Sequence, residues 1–520
     1  MPKLLTALPL GQLVRRGGLG LGLVWALGAW CAGGAFTSAF AQAGPAGGRG
    51  FRIEPTFDTS VTYSDLQRPA GTDATDTIVQ VRPGLRMSGR SGRVSGALSY
   101  GADFVHHSLA SATSGLQNSL NANLSAEPIE NWLFVDASAT VAQRSLSAFG
   151  QQTVAGSVQE NSNRTEVATV SVSPSVRGAV GSLARYELRL TAAATNARKS
   201  ISGDSSTTGA SFNLNSSSGG AIIGWGLQAT HQRADFRAGR ATTNDRAFAT
   251  LTARPDPELL LSLRGGEEAT DATTGERVKT GNWGLGARWT PNERTLVDVQ
   301  TDERYFGKSR KISVEHRLPL SSFRFSSTND VSTSSNPNGV GAPVTLYQLY
   351  DALLLSRFPD PIERDTAVRD LLRSQGLDGN TTVSGGFVSN AITLQRRDDL
   401  GWTYNGRRTT FSLQAFRSHT SSLDSTAQQA GGGGVRQQGY TASASYRLTP
   451  TASTSLTGSR LTTPGTSVNA GTDLKSLSLS WTDQLGRHVS TSLAARYSVF
   501  NSLTDPYRDT SVTASLALRF

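Results

Sequence analysis

Apolar and polar residues alternate along most of this chain with a period of two, most cleanly at the C-terminal end. Val512, Ala514, Leu516, Leu518 and Phe520 fall on one face of an extended segment; Ser511, Thr513, Ser515, Ala517 and Arg519 fall on the other. Successive side chains of a strand point to opposite faces, so each such segment is a strand with one apolar and one polar face. The segment before it repeats the pattern, with Val489, Thr491, Leu493, Ala495, Tyr497 and Val499 set against Ser490, Ser492, Ala494, Arg496 and Ser498. Leu477, Leu479 and Trp481 alternate with Ser476, Ser478 and Ser480 in the same way. A soluble sandwich shows the same alternation; the number of segments, the terminal Phe520 and the N-terminal export signal described below favour a membrane barrel.

The turns set the direction of each strand. Short ones recur at Glu127-Pro128, Val180-Gly181, Arg254 to Pro257, Thr290-Pro291-Asn292, Asn405-Gly406, Thr449-Pro450 and Leu485-Gly486. Proline or glycine at such points ends a ladder and turns the chain. Longer connections lie between them, near 65–76, 150–163, 197–207, 270–277, 421–436 and 463–471. Outer-membrane barrels place short turns on the periplasmic side and long loops outside, and the alternation of lengths fits that plan. Starting at Phe51, the scheme holds about 22 strands (roughly 18–24) in an all-β, transmembrane, antiparallel up-and-down barrel. Trp132, Trp225, Trp283, Trp289, Trp402 and Trp481 fall mostly near predicted strand ends, where interfacial girdles form.

Composition agrees. Of 520 residues, 37% are hydrophobic and 17% charged, too few apolar side chains for a soluble core of this size. A membrane barrel needs apolar residues only at alternate positions. Residues 1–41 read as a secretory signal: Lys3, Arg15 and Arg16 are basic, Leu19 to Ala32 is apolar, and Ala39-Phe40-Ala41 presents small residues for cleavage near Ala41. Trp30 before the lone Cys31 excludes a lipoprotein signal, and no later segment approaches the ~20 apolar residues of a membrane helix. Removing the signal leaves no thiol, and the formal charge of +10 falls to +7 without those three cations. Residues 42–50 then form a short periplasmic segment before a barrel spanning 51–520, placed in the outer membrane of a Gram-negative cell. The surrounding outer-membrane lipid and lipopolysaccharide and the barrel-assembly machinery are the partners this implies, with Leu516, Leu518 and Phe520 as the C-terminal assembly signal.

One stretch breaks the pattern. From about 336 to 390 the strand period disappears, and parity places this connection on the extracellular side, either over the lumen or folded into it. Leu346, Leu349, Tyr350, Leu353 and Leu354 recur at helical spacing within 344–358. A second helix starts with Asp360 as N-cap, Pro361 in the first turn and Glu363 completing a capping box; it continues through Val368, Leu371 and Leu372 to about Gly376. Two readings follow: a constriction folded into the barrel mouth, or a cap packed on itself. Leu346, Leu349, Tyr350, Leu353, Asp360, Pro361, Glu363 and Arg364 are the candidate gating residues of this insert (about 336–387).

Within this region, Phe358-Pro359-Asp360-Pro361-Ile362-Glu363-Arg364 and Gly385-Gly386-Phe387-Val388-Ser389-Asn390-Ala391-Ile392-Thr393-Leu394 resemble the PEP-CTERM-system-associated outer-membrane β-barrel family. The resemblance implies a cell-envelope setting with exopolysaccharide, biofilm and export components as partners. It carries over no catalytic residue and no cofactor.

Candidate chemistry is sparse. His106 and His107 are adjacent on a strand, so they point to opposite faces and cannot share a metal. His231, His316, His419 and His488 have no ligand at metal spacing. No cofactor, metal site or catalytic residue is expected, and the scattered basic residues do not form a nucleic-acid patch. The expected function is a channel or export conduit, with Arg496 and Arg519 as lumen cations that bias selectivity. The alternative is a structural or adhesive envelope protein that binds matrix or partners through its loops. An energy-coupled receptor is disfavoured, because strands starting near Phe51 leave no room for an N-terminal plug.

Overall fold

In the computed structural model the strand ladder closes on itself. Residues 50–520 are described, apart from 69–72, 110–113, 155–156, 158–160, 201–202, 218–221, 333–346, 348–349, 352–353, 355–357, 359, 375–386, 390 and 424–433. The predicted signal, its cleavage site and Cys31 therefore lie outside the described residues.

The wall begins with β1 (Phe51–Gln67), β2 (Ala74–Ser91), β3 (Val94–His107), β4 (Gly115–Ile129), β5 (Leu133–Ser145), β6 (Arg164–Val180), β7 (Ala184–Ala197) and β8 (Ser205–Ser216). It continues through β9 (Ile223–Phe236), β10 (Thr242–Asp256), β11 (Leu259–Thr270), β12 (Val278–Asn292), β13 (Thr295–Arg304), β14 (Gly307–Arg317) and β15 (Ser321–Ser332). After the insert come β16 (Thr393–Asn405), β17 (Thr409–Ser422), β18 (Val435–Arg447), β19 (Ala452–Thr463), β20 (Thr472–Gln484), β21 (Val489–Asn501) and β22 (Tyr507–Arg519). Each strand pairs antiparallel with its chain neighbours, and β1 pairs with β22 from Thr56–Arg519 to Gln67–Arg508. The protein is thus a closed 22-stranded up-and-down barrel of the outer-membrane type, at the strand number and starting residue the sequence pattern predicts.

Closure leaves every strand two faces. Val61, Leu190, Leu263, Leu413, Leu477, Leu493 and Leu516 point outward and are exposed, an arrangement that only lipid makes favourable. The inward face is lined by hydroxyls that bond across the ladder. Examples are Thr62–Thr513 (2.8 Å), Ser412–Ser443 (2.6 Å), Ser455–Ser480 (2.6 Å), Ser459–Ser476 (2.7 Å) and Ser492–Ser515 (2.5 Å). The Ser- and Thr-rich composition is therefore mostly lumen lining. His106 and His107 separate as expected: His106 is exposed outside, and His107 is buried inside with Nδ1 2.6 Å from Asp76 Oδ2.

Two details differ from the sequence expectation. Pro128, Pro255 and Pro291 do not end their strands; each sits in a register shift (Ala126/Ile129, Ala253/Asp256, Trp289/Asn292), and the turn follows one or two residues later. A bulge tolerates the missing N–H of proline and bends the strand into its turn. The tryptophans also favour one rim. Trp132, Trp225, Trp289, Trp402 and Trp481 lie at the short-turn end and only Trp283 in the upper half, all exposed on the outer face.

The face assignment is checked by paired substitutions on β21. Leu493→Arg is expected to destabilise the barrel by about 2–4 kcal/mol in urea unfolding from lipid vesicles. Ala494→Arg, one residue on and facing the lumen, is expected to cost less than about 1 kcal/mol. Equal costs at both positions would mean the faces are assigned wrongly.

Candidate functional site

Inward-folded segments approach the lumen from two directions. The first is the connection between β5 and β6, which reaches from one wall of the lumen to another at the long-loop end. Tyr507 Oη donates to the Gln152 carbonyl oxygen at 2.7 Å, across 355 residues of sequence. Val154 packs on a cluster formed by Leu66, Leu474, Phe500 and Tyr507, inward residues at the upper ends of β1, β20, β21 and β22. The loop is braced by its own amides: Gln152 Nε2 donates to the Ser147 carbonyl (3.0 Å) and Asn163 Nδ2 to the same oxygen (2.8 Å). The Ser147 N–H returns a bond to Asn163 Oδ1 (2.9 Å), and Asn161 Nδ2 donates to the Gln151 carbonyl (2.6 Å). Sequence reasoning read this segment only as one of the longer loops.

The second segment is the insert between β15 and β16. A helix, α1, runs from Pro361 to Ser374. Asp360 caps it: the Glu363 N–H donates to Asp360 Oδ1 at 3.3 Å, and the Arg364 N–H to the Asp360 carbonyl at 3.0 Å. The Glu363 side chain is exposed in the first turn, where a carboxylate favours the helix dipole. Ahead of it Tyr347, Tyr350, Asp351 and Leu354 are helical, and the Phe358 N–H bonds the Leu354 carbonyl at 2.9 Å. Leu346, Leu349 and Leu353 lie outside the described residues, as does the Pro361 side chain. Tyr350 (2% exposed), Val368 (0%) and Leu372 (4%) form one buried cluster, with Tyr347, Leu354 and Leu371 against it. The apolar faces of the two helical segments therefore cover each other.

Polar contacts fix that packing. Arg364 Nε reaches Asp351 Oδ1 at 2.7 Å, and Tyr347 Oη donates to Asp365 Oδ1 at 2.5 Å. Arg369 Nε bonds both Asp365 oxygens at 2.9 Å and stands 5.0 Å from the centre of the Tyr347 ring. Burial, then the Asp365 charge, pushes the Tyr347 phenol well above its ordinary pKa.

The insert's position is the unexpected part. Asp360 Oδ2 lies 3.4 Å from Arg90 Nη2, and Arg90 is an inward residue beside the tight turn joining β2 to β3. Arg369 is within electrostatic reach of Glu54, an inward residue near the start of β1. Both wall residues belong to the short-turn end, whereas β15 and β16 join the insert at the opposite end. The return limb meets the far wall, where Phe387 bridges to Ser145 and the Val388 N–H donates to the Ser145 carbonyl at 3.1 Å. The expectation of an element at the extracellular mouth is corrected to this extent: the described helix reaches the periplasmic end. Parity identifies where the connection starts, and says nothing of how far a self-covered helical pair descends.

The lumen cations are placed by strand parity. Arg496 shares the inward row of Ser498 and Phe500, and Arg519 that of Asp509 and Ser511. The lumen also holds a charged network that the sequence pattern did not single out: Arg304 bonds Glu268 and Asp330 (Asp330 Oδ1 at 2.5 Å), and Arg264 reaches Asp302 at 3.2 Å. The acids of 301–303 and 397–399 split between faces, Asp302 and Asp399 inward, Glu303 and Asp398 outward. Among the described residues no group of three His, Cys, Asp or Glu side chains is arranged to hold a metal ion.

No family model matches this chain, and no curated protein matches it. Among solved structures it is similar to the siderophore receptor PirA from Pseudomonas aeruginosa, with 11% identity, 90% of this chain and 80% of that one covered, and a TM-score of 0.42. It is also similar to the FrpB iron transporter from Neisseria meningitidis (F5-1 variant), at 12% identity, 89% and 82% coverage and a TM-score of 0.45. A third is OccK8 (OprE) from Pseudomonas aeruginosa, at 9% identity, 90% and 98% coverage and a TM-score of 0.32.

The anchors of the insert differ in strength. The Arg90–Asp360 pair is half exposed, with side chains 55% and 35% accessible, so it contributes at most about 1 kcal/mol. The Tyr350–Val368–Leu372 cluster is buried and apolar, and placing a carboxylate in it leaves an unpaired buried charge. Val368→Asp is therefore expected to make the insert trypsin-sensitive at Arg364 or Arg369 while the barrel keeps its heat-modifiable mobility on gels. Arg90→Ala is expected to leave that cleavage nearly unchanged. Protection retained in Val368→Asp would show that the cluster does not hold the insert together.

Proposed function

We propose that this chain is an outer-membrane transport channel for hydrophilic solutes, obstructed at rest by its own insert. The observation that carries the reading is the position of Asp360 beside Arg90, which brings a helix attached at one end of the barrel to the other end. An envelope protein acting only through its outer loops gains nothing from a helical pair that deep in the wall. A lumen lined with Ser, Thr and paired charges favours water and polar solutes over apolar ones. The helical pair of the insert is suited to move as a unit, since its apolar faces are satisfied internally and the Arg90–Asp360 pair is weak.

The setting we propose is an extracellular polysaccharide or export system of the PEP-CTERM type in a Gram-negative outer membrane. Its support is the central resemblance: Phe358 to Arg364 contains the cap at the periplasmic end, and Phe387 and Val388 form the limb against Ser145. Asp360, Phe387 and Val388, which lie within the two stretches that carry the resemblance, are also residues through which the insert meets the wall.

Single-channel recording tests the channel reading directly. The refolded chain is expected to show little or no steady current, and a version lacking 336–387 a stable conductance in every inserted barrel. Silence from both, with each barrel folded by its heat-modifiable mobility, would sink the channel reading.

A further inference from the structure

We propose that the outer wall formed by β16, β17 and β18 binds the phosphorylated sugar headgroup of an outer-leaflet glycolipid of the lipopolysaccharide type. Three arginines carry the inference. Arg396, Arg417 and Arg436 are exposed and occupy the outward rows of these strands within five residues of their long-loop ends. Arg396 lies directly across from His419, and His419 directly across from Arg436, while Arg417 stands two residues below His419 on the same face. Strands are about 4.8 Å apart, so the three guanidinium stems rise from a patch roughly 10 Å wide.

None of these three arginines makes a hydrogen bond or ion pair among the described residues, although acids lie close by. Asp398, opposite Arg417, lies 3.6 Å from Arg310 and accepts from Ser327 at 2.5 Å. Asp473 pairs with Arg460 (2.8 Å) and Lys475 (3.4 Å). On another part of the wall, outward cations at the same end are matched: Arg233 with Asp235 at 3.0 Å, and Arg277 with Asp245. With Arg396 and Arg436 flanking His419 and Arg417 two residues below it, three cations share one patch, and their mutual repulsion is relieved by an anion among them. An unmatched triad therefore marks a place where an external anion completes the wall, and guanidinium groups favour phosphate through paired, planar bonds.

What lies below the triad identifies the anion as a lipid. The next outward positions towards the barrel middle are Leu400, Ala415 and Tyr440, followed by Trp402 and Leu413. Cations above an apolar wall match a molecule with phosphates on its head and several acyl chains beneath. The long-loop end places this patch at the outer leaflet. The inference rests on the barrel's orientation in the membrane and is independent of whether the lumen conducts.

The test uses the full chain purified in detergent, stripped of lipid and titrated with bis-phosphorylated lipid A while bound lipid is counted by native mass spectrometry. Saturable binding is expected to weaken with salt and to be lost with the same glycolipid after removal of both phosphates. The triple variant R396Q/R417Q/R436Q is expected to bind roughly a hundredfold more weakly, about fivefold per arginine. The control R233Q/R277Q is expected to bind like the unaltered chain. Equal binding of the dephosphorylated lipid would overturn the proposal without recourse to any variant. So would unchanged binding by the triple variant, or full displacement by equimolar inorganic phosphate, which would mark a simple anion site. If the triple variant instead dissociates an oligomer and leaves lipid binding intact, the patch is a subunit contact and the proposal fails.

Discussion

Every strand of this protein depends on having a partner on both sides. In hydrocarbon an unpaired backbone N–H or C=O has no water to turn to, so the sheet must close. The register of β1 against β22 provides that closure, from Thr56–Arg519 to Gln67–Arg508. Once the backbone is satisfied, side chains carry little of the burden of holding the wall. The outward row needs only to be apolar and the inward row only to fit. That is why a chain with 37% hydrophobic residues sustains so large a structure. It is also why Ser492 faces Ser515, and Ser455 faces Ser480, where a soluble protein would place leucine.

The same constraint sorts what a sequence reveals. Strand period, turn chemistry and the parity of loop lengths are local, and they lead to a barrel of the observed strand number. The cap of α1 is equally local: Asp360, the proline after it and the bonds from the Glu363 and Arg364 amides lie within five residues. The prolines at 128, 255 and 291 mark the neighbourhood of each turn, but their bulges shift the turn itself, a choice made by pairing with the next strand.

What sequence could not supply is docking. Arg90 and Asp360 are 270 residues apart, and a half-exposed ion pair leaves no periodic trace. Tyr507 and Gln152 meet through a main-chain oxygen, which carries no residue signature. Gln152, Asn161 and Asn163 look like ordinary polar loop residues; only their bonds to the loop's own carbonyls show that its described part is internally braced. The outward arginines near the ends of β16 to β18 were readable one by one, but strand register is needed to see them as a single patch.

The contacts also rank the parts by how easily they separate. The wall is held by backbone bonds along its whole length and cannot open without exposing them to lipid. The β5–β6 loop comes next, since Val154 sits on the Leu66–Leu474–Phe500–Tyr507 cluster and its amides are mutually satisfied. The helical pair of the insert is tied more loosely: its buried cluster is internal, and the Arg90–Asp360 pair that brings it to β2 is solvated. The two are not independent, because the return limb of the insert pairs with Ser145, where β5 ends and the loop begins. Ser145 Oγ donates to Gln152 Oε1 at 3.1 Å, inside the loop's own brace, while the Ser145 carbonyl accepts from the Val388 N–H at 3.1 Å. The least tied element and the stronger one thus share a single anchor residue, Ser145, at the upper end of β5.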